Sequence, residues 1–223
     1  MISDFFLALL LALIQGLTEF LPVSSSAHLL FPSLLFGAKD FGIVFDISVH
    51  AGTLAAVIYY FKKEIQGLLQ AWNPWSKTRN TENFSLGLNL IVATLPIVLV
   101  GLLASDLAES RSANIDSIAW ANLVFAGLLY AAFKSSSQSK SLTELTLFAA
   151  LIIGCFQALA VFPGASRSGM AITGALIIGL NIKDTSRFAF LLSIPTIMGA
   201  LILMLAKGAY SISFSDMLIM LTG

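Results

Sequence analysis

The residues able to do chemistry gather in two short stretches. The first reads Gln15-Gly-Leu-Thr-Glu19-Phe-Leu-Pro-Val-Ser24-Ser25-Ser26-Ala-His28, and the second Gln157-Ala-Leu-Ala-Val-Phe-Pro-Gly164-Ala-Ser166-Arg167-Ser168-Gly169. Arg167 presents a planar fork that suits phosphate oxygens. The hydroxyls of Ser24, Ser26, Ser166 and Ser168 add donors, as do free N–H groups at a half-helix start just after Pro163-Gly164. Gln15 and Glu19 are four apart, so in a helix they share one face and offer oxygen ligands to a hard divalent cation such as Mg2+ or Ca2+. His28 is a candidate general acid, base or nucleophile, and Ser25 a candidate base-activated nucleophile. Together these groups form a recipe for binding an oxyanion, phosphate being the best fit.

Both stretches interrupt apolar sequence. The 223 residues are 57% hydrophobic and 11% charged, with a mean hydropathy of +0.91. Soluble domains carry about 25% charged residues. The composition therefore describes an all-α polytopic membrane protein in one integral domain. At bilayer depth an ionisable side chain costs about 2.5–3.5 kcal/mol on insertion scales and is functional by default. Net charge is zero, which gives no case for nucleic acid. The N-terminus carries Asp4 without a basic region or cleavage site, so no removed signal peptide is expected. Cys155, the one cysteine, lies in an apolar run and is expected to be a packing residue.

The elements that must position the two stretches follow from the apolar pattern. Residues 5–22 are apolar apart from Gln15, Thr18 and Glu19, and a break is expected near Leu21-Pro22. Leu29–Phe36 is too short to span a bilayer, which takes about 20 residues. Residues 145–162 and 170–180 repeat that arrangement around the second stretch. Shifting the first stretch by 142 positions places Gln15 on Gln157, Leu17 on Leu159, Phe20 on Phe162, Ser24 on Ser166 and Ser26 on Ser168. The pattern predicts an internal duplication, repeat 1 over about 1–133 and repeat 2 over about 144–223, each with a re-entrant helical hairpin. Full spans are expected at 43–61, 84–104, 118–133 and 188–206, with a last apolar start at Met217. The segment from Lys62 to about Asn83 reads as a polar loop.

Orientation follows from the basic residues. Loop 62–83 holds four Lys/Arg and loop 134–144 two, against one in loop 105–117. Basic loops stay in the cytoplasm. The first hairpin then dips in from outside and the second from inside, an inverted repeat that brings both polar tips together near the midplane. Asp46 and His50 are read as outer-interface residues, and Arg187 as snorkelling from a helix end. A Glu–Arg pair in a bundle can be mere self-neutralisation, and serines can simply break helices. Two clusters at matched positions, one with Glu and His and one with Arg, are harder to explain that way.

Residues 15–28 and Phe162-Pro-Gly-Ala-Ser-Arg-Ser-Gly169 resemble the two signature motifs of the undecaprenyl-pyrophosphate phosphatase family, also called bacitracin-resistance proteins. Phe45-Asp-Ile-Ser-Val-His-Ala-Gly-Thr-Leu-Ala-Ala-Val-Ile-Tyr-Tyr-Phe61 resembles the family's first long helix, and Phe188-Ala-Phe-Leu-Leu-Ser-Ile-Pro195 the segment after the second motif. The resemblance implies a multi-pass phosphatase of the bacterial plasma (inner) membrane with its site facing outside. It implies removal of one phosphate from a C55 polyprenyl pyrophosphate, recycling the cell-wall lipid carrier, with a divalent metal. It places the catalytic His on His28, the implicated hydroxyl on Ser25, the phosphate-binding Arg on Arg167 and the acidic motif on Gln15 and Glu19. A homodimer is an admissible assembly. Ala27 replaces a common Gly, and family members usually continue through further helices.

Two other readings fit parts of the pattern. A transporter or flippase for a lipid phosphate or other anion would use the same inverted-repeat physics. An intramembrane Ser/His protease leaves Arg167 without a role. The acid-phosphatase superfamily needs a His downstream of its Ser-Arg motif, and none follows His50.

Overall fold

The computed structural model describes residues 2–75, 80–103 and 115–206. These residues form nine α-helices: α1 (Ile2–Thr18), α2 (Ser25–Phe36), α3 (Gly42–Tyr60), α4 (Lys62–Trp72), α5 (Thr81–Leu103), α6 (Ile115–Ser135), α7 (Leu147–Ala158), α8 (Arg167–Ile178) and α9 (Ile182–Ala206). Short 3₁₀ turns at Leu142–Glu144 and Leu159–Val161 flank α7. The protein is all-helical and multi-pass. Helices α5, α6 and α9 are each long and apolar enough to cross a membrane. Helices α3 and α4 meet that test only together, bent by 75° at Phe61.

Helix α4 corrects one expectation. Residues 62–72 are helical rather than loop. They form an amphipathic helix that continues the chain after α3, and Ala71 is its buried residue. Lys62 and Lys63 mark the bend rather than the end of helical structure. Lys77, Arg79, Asp106, Glu109, Arg111 and Met217 lie outside the described residues.

The unit around each polar tip is a helix, a break and a second helix, and the bounds recur at one offset. Ser24 and Ser166 are 142 positions apart, as are Ser25 and Arg167, Phe36 and Ile178, and Gly37 and Gly179. Each serine caps its helix: Ser24 Oγ accepts from Ala27 N at 3.4 Å, and Ser166 Oγ from Gly169 N at 3.1 Å. Each glycine closes its helix in the left-handed conformation, with φ of 61° at Gly37 and 92° at Gly179. The first break comes earlier than Pro22 alone would dictate, because α1 already ends at Thr18.

Two apolar clusters hold these units. Ala8, Leu11, Leu29, Phe45 and Val49 join α1, α2 and α3. Leu90 and Ala93 of α5, Ile153 of α7, Ala175 and Leu176 of α8 and Phe188 and Leu192 of α9 belong to the larger cluster. Helices α5 and α7 approach so closely that a Cβ on Gly154 would run into the Ala93 carbonyl. The outer faces stay apolar: Leu17 is 72% exposed, Leu103 79% and Trp120 67%. In water such surface would be a liability; in hydrocarbon it is the solvent-matched side.

Two further expectations are corrected. Cys155 is exposed on α7 rather than packed inside. Arg187 does not snorkel freely, because its Nε donates to Glu64 Oε2 of α4 at 3.1 Å. Helix α9 is capped by Asn181, whose Oδ1 accepts from Asp184 N at 2.9 Å. The Asp184 carboxylate accepts from Leu142 N at 3.0 Å, tying the start of α9 to the turn before α7.

Candidate functional site

The two tips meet. Ser168 Oγ donates to the Leu21 carbonyl at 2.6 Å, and Ser166 Oγ reaches the same oxygen at 3.5 Å. Leu21 lies in the break after α1, where its carbonyl has left the helical ladder and needs donors. The second tip turns at Gly164, whose φ of 93° suits glycine, and which packs against the Ile118 backbone of α6. Gly164 is thus placed as a turn and packing residue.

Glu19 is the centre of the junction, with its side chain only 4% exposed. Arg167 Nη2 donates to its Oε1 at 2.6 Å across 148 positions of sequence. Ser25 Oγ donates to Oε2 at 2.8 Å, and Gln15 Nε2 donates to the same oxygen at 2.7 Å. Ser25 and Arg167 are the first residues of the two matched helices, so equivalent positions of both units converge on one carboxylate. Both also stand where helix N-terminal N–H groups favour negative charge. Arg167 spends one nitrogen on Glu19. The rest of its fork has no partner among the described residues and is available to an anion.

The matched glutamines have diverged. Gln157 is structural: its Nε2 donates to the Ala93 carbonyl at 3.4 Å, and its Oε1 accepts from Thr196 Oγ1 at 3.3 Å. Gln15 is fully buried and its Oε1 has no partner among the described residues.

His28 and Ser26 are placed differently from Glu19, Ser25 and Arg167. His28 Nδ1 is 2.7 Å from the Ser24 carbonyl oxygen. That oxygen can only accept, so Nδ1 carries a proton and the lone pair of the neutral ring lies on Nε2. Nε2 has no hydrogen-bond partner among the described residues, and no bond joins His28 directly to Glu19 or Arg167. His28 lies three residues after Ser25, on the same face of α2. Ser26 is exposed and makes no hydrogen bond to the described residues.

The residue whose link to the site sequence reasoning missed is His50. Its Nε2 is 3.5 Å from Glu19 Oε2. Its four-residue spacing from Asp46 placed it on a helix face, but nothing in the sequence said that this face of α3 turns towards the first tip.

The fit of a divalent cation can be tested on these atoms. No three His, Cys, Asp or Glu side chains converge among the described residues. The donor set is one carboxylate, Glu19, with the Gln15 amide beside it. A buried carbonyl oxygen without a donor, as at Gln15 Oε1, is costly unless something positive meets it. Mg2+ is commonly held by one or two carboxylates with substrate phosphates supplying the remaining oxygens. The residues fit a cation of that kind.

A cavity of about 150 Å³ adjoins the tips. Pro22, Val23, Ser166, Gly169 and Met170 form one side, and Asn122, Phe125, Ala126 and Leu129 of α6 the other. Its walls are polar at Ser166 and Asn122 and apolar along α6. A larger space of about 600 Å³ between α4 and the start of α5 is lined by Gly67, Gln70, Ala71 and residues 80–83, and includes none of the tip residues.

Comparison with known proteins bears on this arrangement. The chain is 50% identical over 194 residues to a Saccharophagus degradans protein named undecaprenyl-diphosphatase, covering 87% of this chain and 73% of that one. It is 47% identical over 195 residues to the undecaprenyl-diphosphatase of Teredinibacter turnerae, covering 87% and 74%, and 46% identical over 198 residues to that of Alcanivorax borkumensis, covering 88% and 75%. Residues 8–223 match the family described as bacitracin resistance protein BacA. That match spans the two tips and the helices that carry them, and the chain belongs to the bacitracin resistance protein BacA family.

Proposed function

We propose that this chain is an undecaprenyl-diphosphatase, hydrolysing undecaprenyl pyrophosphate to undecaprenyl phosphate and inorganic phosphate. The observation that carries the reading is the 2.6 Å contact of Arg167 with Glu19, which joins two distant polar tips into one anion-ready site. The names of the relatives supply the substrate and the reaction. They support hydrolysis rather than transport of a lipid phosphate. Phosphate release by purified protein in detergent micelles tests this, since a transporter releases none.

The tips are read as re-entrant hairpins of an inverted repeat in the bacterial inner membrane, with the site opening outward. The uncommitted part of the Arg167 fork takes the pyrophosphate oxygens, joined by the N–H groups at the start of α8 and by Ser166, whose hydroxyl is held only at 3.5 Å, while Ser168 keeps its proton on the Leu21 carbonyl. Ser24 and Gly164 shape the two turns that present these donors. Ser25 is poised for attack, because its proton already points at Glu19 Oε2. Ser25 Oγ bonds to the terminal phosphorus and its proton passes to Glu19. The bond from that phosphorus to the bridging oxygen breaks, and the lipid monophosphate leaves. Water then attacks the phosphoserine, His28 Nε2 taking its proton; the bond from phosphorus to Ser25 Oγ breaks, Glu19 returns its proton to Oγ, and inorganic phosphate departs. A divalent cation held by Glu19 and Gln15 would supply neutralising charge to the pyrophosphate.

Ser25→Ala is expected to lower phosphate release at least about 10²-fold, with the protein still folded. Activity within a few-fold of wild type would remove Ser25 as the nucleophile.

The first carbons of the isoprenoid tail are assigned to the cavity against α6, which is continuous with Ser166 and Gly169. Ala126→Trp fills it. The expected result is a KM for undecaprenyl pyrophosphate raised about tenfold with kcat kept, the signature of lost uniform binding. An unchanged KM would place the tail elsewhere.

A further inference from the structure

The proposed reaction, on which this inference rests, leaves one neighbour of Glu19 without a role. His50 belongs to α3 and to neither tip. Its Nδ1 is 2.6 Å from the Asp46 carbonyl oxygen, which can only accept, so the lone pair of the neutral ring lies on Nε2. Nε2 then faces Glu19 Oε2 at 3.5 Å. Two acceptors face to face, the carboxylate only 4% exposed, repel unless something positive sits with them. Gln15 gives an independent sign. Its amide nitrogen is spent on Glu19, and its Oε1 is fully buried without a donor. Two side chains that meet one carboxylate, His50 and Gln15, therefore each keep an acceptor without a donor. An imidazolium at His50 would answer the first repulsion only. It would leave Gln15 Oε1 unmatched and give Glu19 a second cation beside Arg167.

We propose that His50 Nε2 is a ligand of a divalent cation shared with Glu19 Oε2 and Gln15 Oε1. A metal-bound histidine ordinarily donates its other ring N–H to a carbonyl or carboxylate, as His50 does to Asp46. Two donors each about 2.1 Å from one ion stand roughly 3–3.5 Å apart, the separation of His50 and Glu19. Pyrophosphate oxygens complete the shell. A nitrogen ligand widens the acceptable ions from Mg2+ and Ca2+ to first-row ions such as Mn2+.

The test is pulsed electron paramagnetic resonance of Mn2+ bound to tag-free protein in detergent micelles, with phosphate release followed in the same samples. The chain has two histidines, so imidazole nitrogen coupling to Mn2+ can come only from His28 or His50. Coupling is expected in the wild type and in His28→Gln. His50→Gln is expected to lose it and to bind Mn2+ at least about tenfold more weakly. Absence of Mn2+ binding, absence of coupling in the Mn2+-bound wild type, loss in His28→Gln, or survival in a folded His50→Gln each overturns the proposal. Wild-type phosphate release without nitrogen coupling would sink this ligand assignment alone. Coupling without phosphate release under any cation would sink the functional reading and leave the metal site standing.

Discussion

Arg167→Lys is expected to lower phosphate release about 10²-fold or more while leaving helical content and melting temperature near wild type. Lysine keeps the positive charge, so Glu19 retains a counter-ion and the buried junction stays neutral. What is lost is the fork. Arginine holds Glu19 through one nitrogen and offers the remaining N–H groups, in a fixed plane, to phosphate oxygens. A lysine ammonium is a point charge on a flexible stem and cannot serve both at once. Removing one preorganised donor to developing charge costs about 10²–10³-fold in well-studied hydrolases. Circular dichroism and thermal unfolding alongside the assay separate chemistry from folding. Near-normal activity would reduce Arg167 to a structural counter-ion.

Glu19→Gln is expected to do more, about 10³-fold or worse, and to lower the melting temperature as well. The isosteric amide fills the same space, so the loss is electrostatic. Arg167, with its side chain 15% exposed, is left without its anion. Breaking a buried pair by removing one partner leaves an uncompensated charge and is strongly destabilising. The amide also cannot take the proton of Ser25. Because Glu19 and Arg167 act as a unit, Glu19→Gln combined with Arg167→Lys should be little worse than Glu19→Gln alone. Simple multiplication of the two losses would show that the residues work independently.

Much of this site was legible in the sequence because its logic is local. The 142-residue offset predicted a duplication, and the caps at Ser24 and Ser166 and the glycine stops at Gly37 and Gly179 fall at that same offset. Glu19 and Arg167, polar groups without a cheap home in hydrocarbon, were expected to find each other and do. His50 was missed because helical period assigns a residue to a face and not to a neighbour. Only the packing of α3 against α1 brings it to Glu19. Arg187 was misread for the same reason, since its partner Glu64 lies on a helix the sequence had read as loop. Cys155 was placed inside on hydropathy alone, yet in a membrane protein the outside is equally apolar.

The most direct test of the account is phosphate release from undecaprenyl pyrophosphate by purified wild type and Arg167→Ala, side by side, with Mg2+ or Ca2+ present. The account predicts turnover by the wild type to undecaprenyl phosphate and inorganic phosphate, and at least about a 10²-fold loss in a still-folded Arg167→Ala. No phosphate from the wild type, or equal rates from both proteins, would contradict it.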